Sequence, residues 1–158
     1  MTESDADLID VEVLRTALDG RELPGGELTV EAYESALADY ALLAPDVDTE
    51  HAHPLWLLVL ALRGMGISVD ELCRLAGQRA QDTLLFGNCE IAQRRPVRVG
   101  HRFRMTASAG PVARKESRGG GHLDFVTVRV EVHDTADGPH PGDPVGTVTN
   151  GFIFKRGA

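Results

Sequence analysis

The densest gathering of proton-transferring side chains lies between Ala44 and Pro54, a polar loop that carries Asp46, Asp48, Glu50, His51 and His53. A neutral imidazole beside a carboxylate exchanges protons at about pH 7, so this loop can supply a base and a group that positions a water or hydroxyl. The His51-x-His53 pair with Asp46 and Asp48 also permits a metal reading, but no third well-placed ligand accompanies it, and no metal or other cofactor is expected. Other chemistries find less. Ser35, Ser68, Ser108 and Ser117 sit in no Gly-x-Ser-x-Gly elbow. Cys73 falls on a helical apolar pattern and reads as core. Neither Gly64-x-Gly66 nor Gly119-Gly120-Gly121 fits a phosphate-loop template; a helix stop and a hairpin turn explain them.

The chain that must position these groups has 158 residues, the length of about one domain, with 42% hydrophobic and 25% charged residues. That is enough to bury a core. The longest apolar run, Leu55 to Leu62, falls short of the about 20 residues that span a bilayer, and acidic residues follow Met1, so no membrane or export segment is expected. Two cysteines without C-x-x-C spacing point to a reducing cytoplasm rather than a disulfide framework. Residues 1–50 carry 14 acids against Arg15 and Arg21, a local charge of −12, while the total of −8 leaves +4 for residues 51–158. The arginines between Arg63 and Arg118 could attract an anionic ligand tail. A pI of about 5.2 and 5% aromatics argue against nucleic acid.

Residues 1–9 are polar and acidic, and a short helix is predicted from Asp10 to Leu18, closed by Gly20. Pro24-Gly25-Gly26 reads as a turn, Glu27 to Val30 as a short strand, and Thr29 as the cap of a helix running to Ala44. That helix would carry Ala32, Ala36, Leu37, Tyr40 and Leu43 along one side. Pro54 is placed to open the next helix, Leu55 to Leu62, which is apolar all the way round and therefore demands enclosure on several sides. Arg63-Gly64-Met65-Gly66 would stop it, and Val69 to Ala76 would form a further short helix before Gly77. Strands follow. Leu84 to Phe86 and Glu90 to Val97 read as extended, then Arg102 to Ala109 and His122 to His133, where valines alternate with polar residues. A turn-rich loop spans Asp137 to Pro144, and Val145 to Lys155 closes the sheet. The expected class is α+β, an antiparallel sheet around one buried helix, with residues 1–24 as an acidic arm and 25–158 as a single domain.

Specific residues sharpen this. The stretch Glu90 to Phe103, EIAQRRPVRVGHRF, resembles the strand and turn written x-x-x-RPV-x-x-GD-x-L in MaoC-like (R)-specific enoyl-CoA hydratases and hydroxyacyl dehydratases, which have the hot-dog fold. The Gly-rich turn before Leu123 and the closing strand Gly146 to Phe154 are similar to that family too. Pro54 to Gly66 resembles the central helix of the dehydratase subdivision whose members often pair as unlike subunits. The likeness covers roughly residues 25–156.

The family's catalytic segment reads approximately F/Y-x-x-L-S-G-D-x-N-P-L-H-x-D-P. Set against it without gaps, Tyr40, Leu43, Asp46, His51 and Pro54 fall on matching positions, while Pro45, Asp48, Thr49 and His53 depart from it. A second alignment places His53-Pro54 on the turn that opens the central helix and leaves no dyad. The first implies His51, or His53, as base and Asp46 as the group that positions water. It also implies Tyr40, Leu55 and Trp56 as substrate contacts, with the backbone N–H groups at the helix start polarising the thioester carbonyl. Arg95 and Arg98 would attract the anionic tail of an acyl-CoA or acyl carrier protein substrate. The resemblance thus implies a dimeric acyl-thioester dehydratase or hydratase, or a non-catalytic partner completing the tunnel of a homologue, as homodimer or heterodimer. A hot-dog thioesterase ranks third, since hydrolysis needs a carboxylate on or near the central helix and Leu55 to Leu62 offers none.

Overall fold

The computed structural model describes residues 7–138 and 142–157; the first six residues of the acidic arm and residues 139–141 of the turn-rich loop lie outside them. The elements in chain order are α1 (Val11–Leu18), β1 (Glu22–Thr29), α2 (Ala32–Ala41), β2 (His51–Ala52), α3 (Trp56–Gly64), α4 (Val69–Leu75), β3 (Thr83–Gln93), β4 (Val97–Arg98), β5 (Arg102–Glu116), β6 (His122–Asp134), a 3-10 turn (Thr135–Asp137) and β7 (Gly146–Lys155). Five strands form one antiparallel sheet in the order β1-β5-β6-β7-β3, and β2 pairs with β4 apart from it.

Strand periodicity decides where the core sits. On β6 Asp124, Val126, Val128, Val130, Val132 and Asp134 are buried, and on β7 Val148, Asn150, Phe152 and Phe154 join them on the same side. The helix α3 lies against that face and touches all five strands. Its Trp56, Leu57, Leu60, Ala61 and Gly64 are buried, whereas Leu58, Val59 and Leu62 are only half covered. This is the expected helix wrapped by a sheet. The short α1 packs on β5, with Leu14 and Leu18 fully buried and Asp10 capping it by accepting the Glu12 N–H. No helix among the described residues is long and apolar enough to cross a membrane.

Several local expectations need correcting. Pro24-Gly25-Gly26 is no turn; it is a bulge inside β1, where Leu23 pairs with Ala107 and Gly26 with Met105. Gly25 takes φ +66°, and a Cβ there would drive into the Met105 carbonyl, so only glycine lets the strand pass. The helix stop, by contrast, holds: α3 ends at Gly64, with Met65 as its C-cap and Gly66 at φ +86°. A side chain on Gly64 would collide with Met105. Thr29 belongs to β1, and α2 starts after Glu31 with no side-chain cap. The apolar side of that helix is largely outside: Leu37, Tyr40 and Leu43 are exposed, while Ser35 and Asp39 are buried, Asp39 accepting the Asp48 N–H at 3.1 Å. The segment Glu90 to Val97 is not one strand. Pro96 cannot donate to a ladder, and the chain leaves β3 at Gln93 and re-enters extended structure as β4.

Candidate functional site

The chain segment entering α3 is held by two short strands. In β2 and β4, His51 lies opposite Arg98 and Ala52 opposite Val97, and Val99 N–H donates to Glu50 O at 2.9 Å. Opposed residues share a face, so buried Ala52 and Val97 anchor the ribbon in the core and leave His51 and Arg98 on its other side. Just before β2, Asp48 folds back: its Oδ1 accepts the N–H groups of Glu50 at 2.8 Å and His51 at 2.9 Å. These backbone bonds, that from His51 first, hold its carboxyl below the usual range. His51 Nδ1 stands 3.5 Å from Asp48 Oδ2.

The residues singled out in the sequence scatter around this ribbon. Asp46 is exposed and forms no hydrogen bond or ion pair among the described residues; the carboxylate beside His51 is Asp48 instead. His53 is exposed, and its Nδ1 accepts the Leu55 N–H at 3.1 Å while its carbonyl accepts the Trp56 N–H at 2.9 Å. The amides expected to meet a thioester carbonyl at the helix start are therefore engaged by His53 itself. Tyr40 is 81% exposed at the end of α2, and Leu55 is exposed. Trp56 is buried, and its indole N–H has no partner among the described residues. Arg95 is tied to Asp137 at 2.6 Å and to the Asp143 carbonyl at 3.1 Å. The Arg98 side chain has no hydrogen bond or ion pair among the described residues, although its charge helps lower the Asp137 carboxyl, after the larger effect of Arg95. No three His, Cys, Asp or Glu side chains among the described residues gather as a metal cluster.

Two residues that sequence reasoning passed over come together here. His101 donates from Nδ1 to Asp134 Oδ2 at 2.7 Å, joining the turn before β5 to the last residue of β6. With His51, Arg95, Arg98 and Asp137 they border a cavity of about 340 Å³. A signal was present. Extending the alternation of Val126 to Val132 by one step puts Asp134 on the buried face, where a carboxylate needs a partner, and His101 stands where the family-like motif carries an acid.

The sequence matches no family model and no curated protein. Solved structures do match. A MaoC-like dehydratase from Rhodospirillum rubrum superposes with a TM-score of 0.58 at 15% identity, over 89% of this chain and 94% of that one. The HadBC (3R-hydroxyacyl-ACP dehydratase) complex from Mycobacterium tuberculosis gives 0.60 at 13% identity, covering 92% and 98%. A hot-dog-like protein from Thermanaerovibrio acidaminovorans gives 0.55 at 13% identity, covering 94% and 89%. A sheet that touches one apolar helix with all five strands, and its likeness to these chains, establish that this protein has the hot-dog fold.

Proposed function

We propose that the chain is an acyl-thioester-binding subunit of the MaoC-like type that pairs with a second hot-dog subunit and completes its substrate tunnel. The reaction is the interconversion of a β-hydroxyacyl and a trans-2-enoyl thioester, carried on CoA or acyl carrier protein, in a reducing cytoplasm. The observation that carries the reading is the state of the helix entrance: Asp46 engages nothing among the described residues, and His53 occupies the Leu55 and Trp56 amides. Elimination of water needs a base, an acid and a polarised carbonyl together. This chain does not gather them from the family-like positions, so in this reading the other subunit supplies them.

The surface supports pairing. β3 ends the sheet, and among the described residues its outer edge has no strand beside it, an arrangement that proteins cover by association. Leu85, Phe86 and Ile91 on that strand are exposed, as are Tyr33, Leu37, Tyr40 and Leu43 around α2. The 3R-hydroxyacyl-ACP dehydratase from Mycobacterium tuberculosis is itself a HadBC complex. On the ligand side, the Trp56 indole N–H is a buried donor suited to a carbonyl, and Arg98 suits an anionic tail. Co-expression with a hot-dog homologue that bears the full Asp and His pair tests the proposal. A stable unlike dimer whose enoyl-CoA hydration exceeds that of either chain supports it, and failure to associate refutes it.

A further inference from the structure

We propose that His101 and Asp134 form a water-activating pair with which this chain hydrolyses acyl thioesters, an activity separate from the hydration reaction and resting on the acyl-thioester reading above. The pair is held from every side. Asp134 Oδ2 accepts the His101 Nδ1 hydrogen at 2.7 Å while its Oδ1 accepts the Ala136 N–H at 2.9 Å, so the carboxylate cannot turn away from the imidazole. The His101 backbone is pinned as well, its carbonyl accepting the Val30 N–H at 3.1 Å and the preceding Gly100 N–H donating to Val30 O at 2.7 Å. A carboxylate only accepts, which puts the imidazole proton on Nδ1 and leaves the Nε2 lone pair without a partner among the described residues. Orientation by a buried acid is what a general base needs.

The surroundings fit the chemistry. His101 is one-third exposed, against 9% for the Asp134 side chain, and both border the 340 Å³ cavity with His51 and Arg98. A water occupies about 30 Å³, so the space takes a water and a thioester group together. The carboxylate that the central helix lacks is supplied from β6. In the reaction, a water gives a proton to His101 Nε2 as its oxygen bonds to the thioester carbonyl carbon, and the carbonyl electron pair moves to oxygen. Collapse of the intermediate re-forms the carbonyl and breaks the C–S bond. The departing thiolate takes the proton from Nε2, leaving a carboxylic acid, a thiol and the original imidazole. Asp134 is a positioning residue throughout, since it touches His101 and not the substrate.

The test measures CoA release from crotonyl-CoA by chromatography, beside crotonyl-CoA binding by calorimetry, on the full chain. Wild type should bind and release CoA. His101→Gln should keep its binding and its melting temperature while release falls by about 10²–10⁴. Asp134→Asn should lower kcat at least about tenfold with KM nearly unchanged, and Asp134→Glu should recover part of that loss. Binding without release above the buffer rate, or undiminished release by His101→Gln, overturns the proposal and leaves the subunit reading standing. Absence of binding by the chain alone also overturns the proposal, whereas the subunit reading is judged on the assembled pair.

Discussion

The buried face of β6 begins and ends on an aspartate, and the two have opposite fates. Asp124 is fully buried; Arg114 donates to it from Nε at 2.6 Å and Nη2 at 2.8 Å, and Arg156 from Nε at 2.7 Å. Arg156 goes on to Asp82 at 2.9 Å and to the carbonyls of Ala76 and Gly77, while Arg79 and the Gly157 N–H also donate to Asp82. Burial pushes both carboxyls up, but the guanidinium and amide bonds outweigh it and hold both below the ordinary range. All four carboxyl oxygens at that end are already engaged. Ten residues along, roughly 30 Å at the rise of a strand, Asp134 accepts from the His101 imidazole and the Ala136 N–H, meets no guanidinium among the described residues, and borders a cavity together with His101. The lesson is that saturation, more than charge or burial, separates a structural cluster from one able to do chemistry.

The comparison breaks most visibly at the saturated end. Arg156→Leu strands Asp124 and Asp82 without their shared partner, which costs about 3–5 kcal/mol for a buried pair. At about 2–4 °C per kcal/mol for a chain of this size, melting should fall by roughly 6–20 °C. Calorimetry that finds a loss under about 1 kcal/mol would mean that the cluster rearranges freely.

Acid sharpens the same contrast. Since the folded pKa values of Asp82 and Asp124 lie below their reference of 3.8, the unfolded chain binds more protons as pH falls through that value. Their contribution is complete above it and is lost on further acidification. Urea midpoints should therefore hold steady from about pH 7 to 5 and drop below about pH 4. In Arg156→Leu that acid drop should be shallower; an unchanged slope would assign the acid sensitivity to other groups.

Smaller effects are expected around the cavity. Arg98→Gln should raise KM for a CoA thioester in the assembled pair about three- to tenfold with kcat nearly intact, the pattern of lost uniform binding. Arg95→Gln should leave both KM and kcat nearly unchanged, because Arg95 already answers Asp137 and an exposed pair is worth about 0–1 kcal/mol. Equal KM changes in the two variants would restore the symmetric basic rim expected from sequence. The smallest effect belongs to Asp46→Asn, for which steady-state rates within about twofold of wild type are expected, since removal of a true acid–base group costs about 10²–10⁴.

Period-2 alternation on β6 and β7 and an all-apolar α3 made the sheet and its enclosed helix readable, because burial in these elements is local to the pattern. Bulges were not. Pro24-Gly25-Gly26 has turn composition, and only the approach of Met105 from β5 shows why the strand continues. Composition did not show which way α2 faces: Tyr40 and Leu43 have core composition yet lie outside, as the proposed pairing with another subunit requires. At the site, spacing drew His51 and Asp46 together, yet Asp48, two residues closer, turns back on the His51 amide. His101 and Asp134 are 33 residues apart in sequence. A contact made through sheet register leaves no short motif behind.

The most direct measurement is hydration of a trans-2-enoyl-CoA by the purified chain alone and after co-expression with a dyad-bearing hot-dog homologue, with light scattering on both samples. The subunit reading predicts no hydration by the chain alone, a one-to-one complex on co-expression, and turnover that disappears when the homologue's dyad is replaced but survives Asp46→Asn and His51→Ala in this chain. Hydration by the chain alone that falls about 10²–10⁴ in Asp46→Asn or His51→Ala would contradict it and return the acid–base work to those residues.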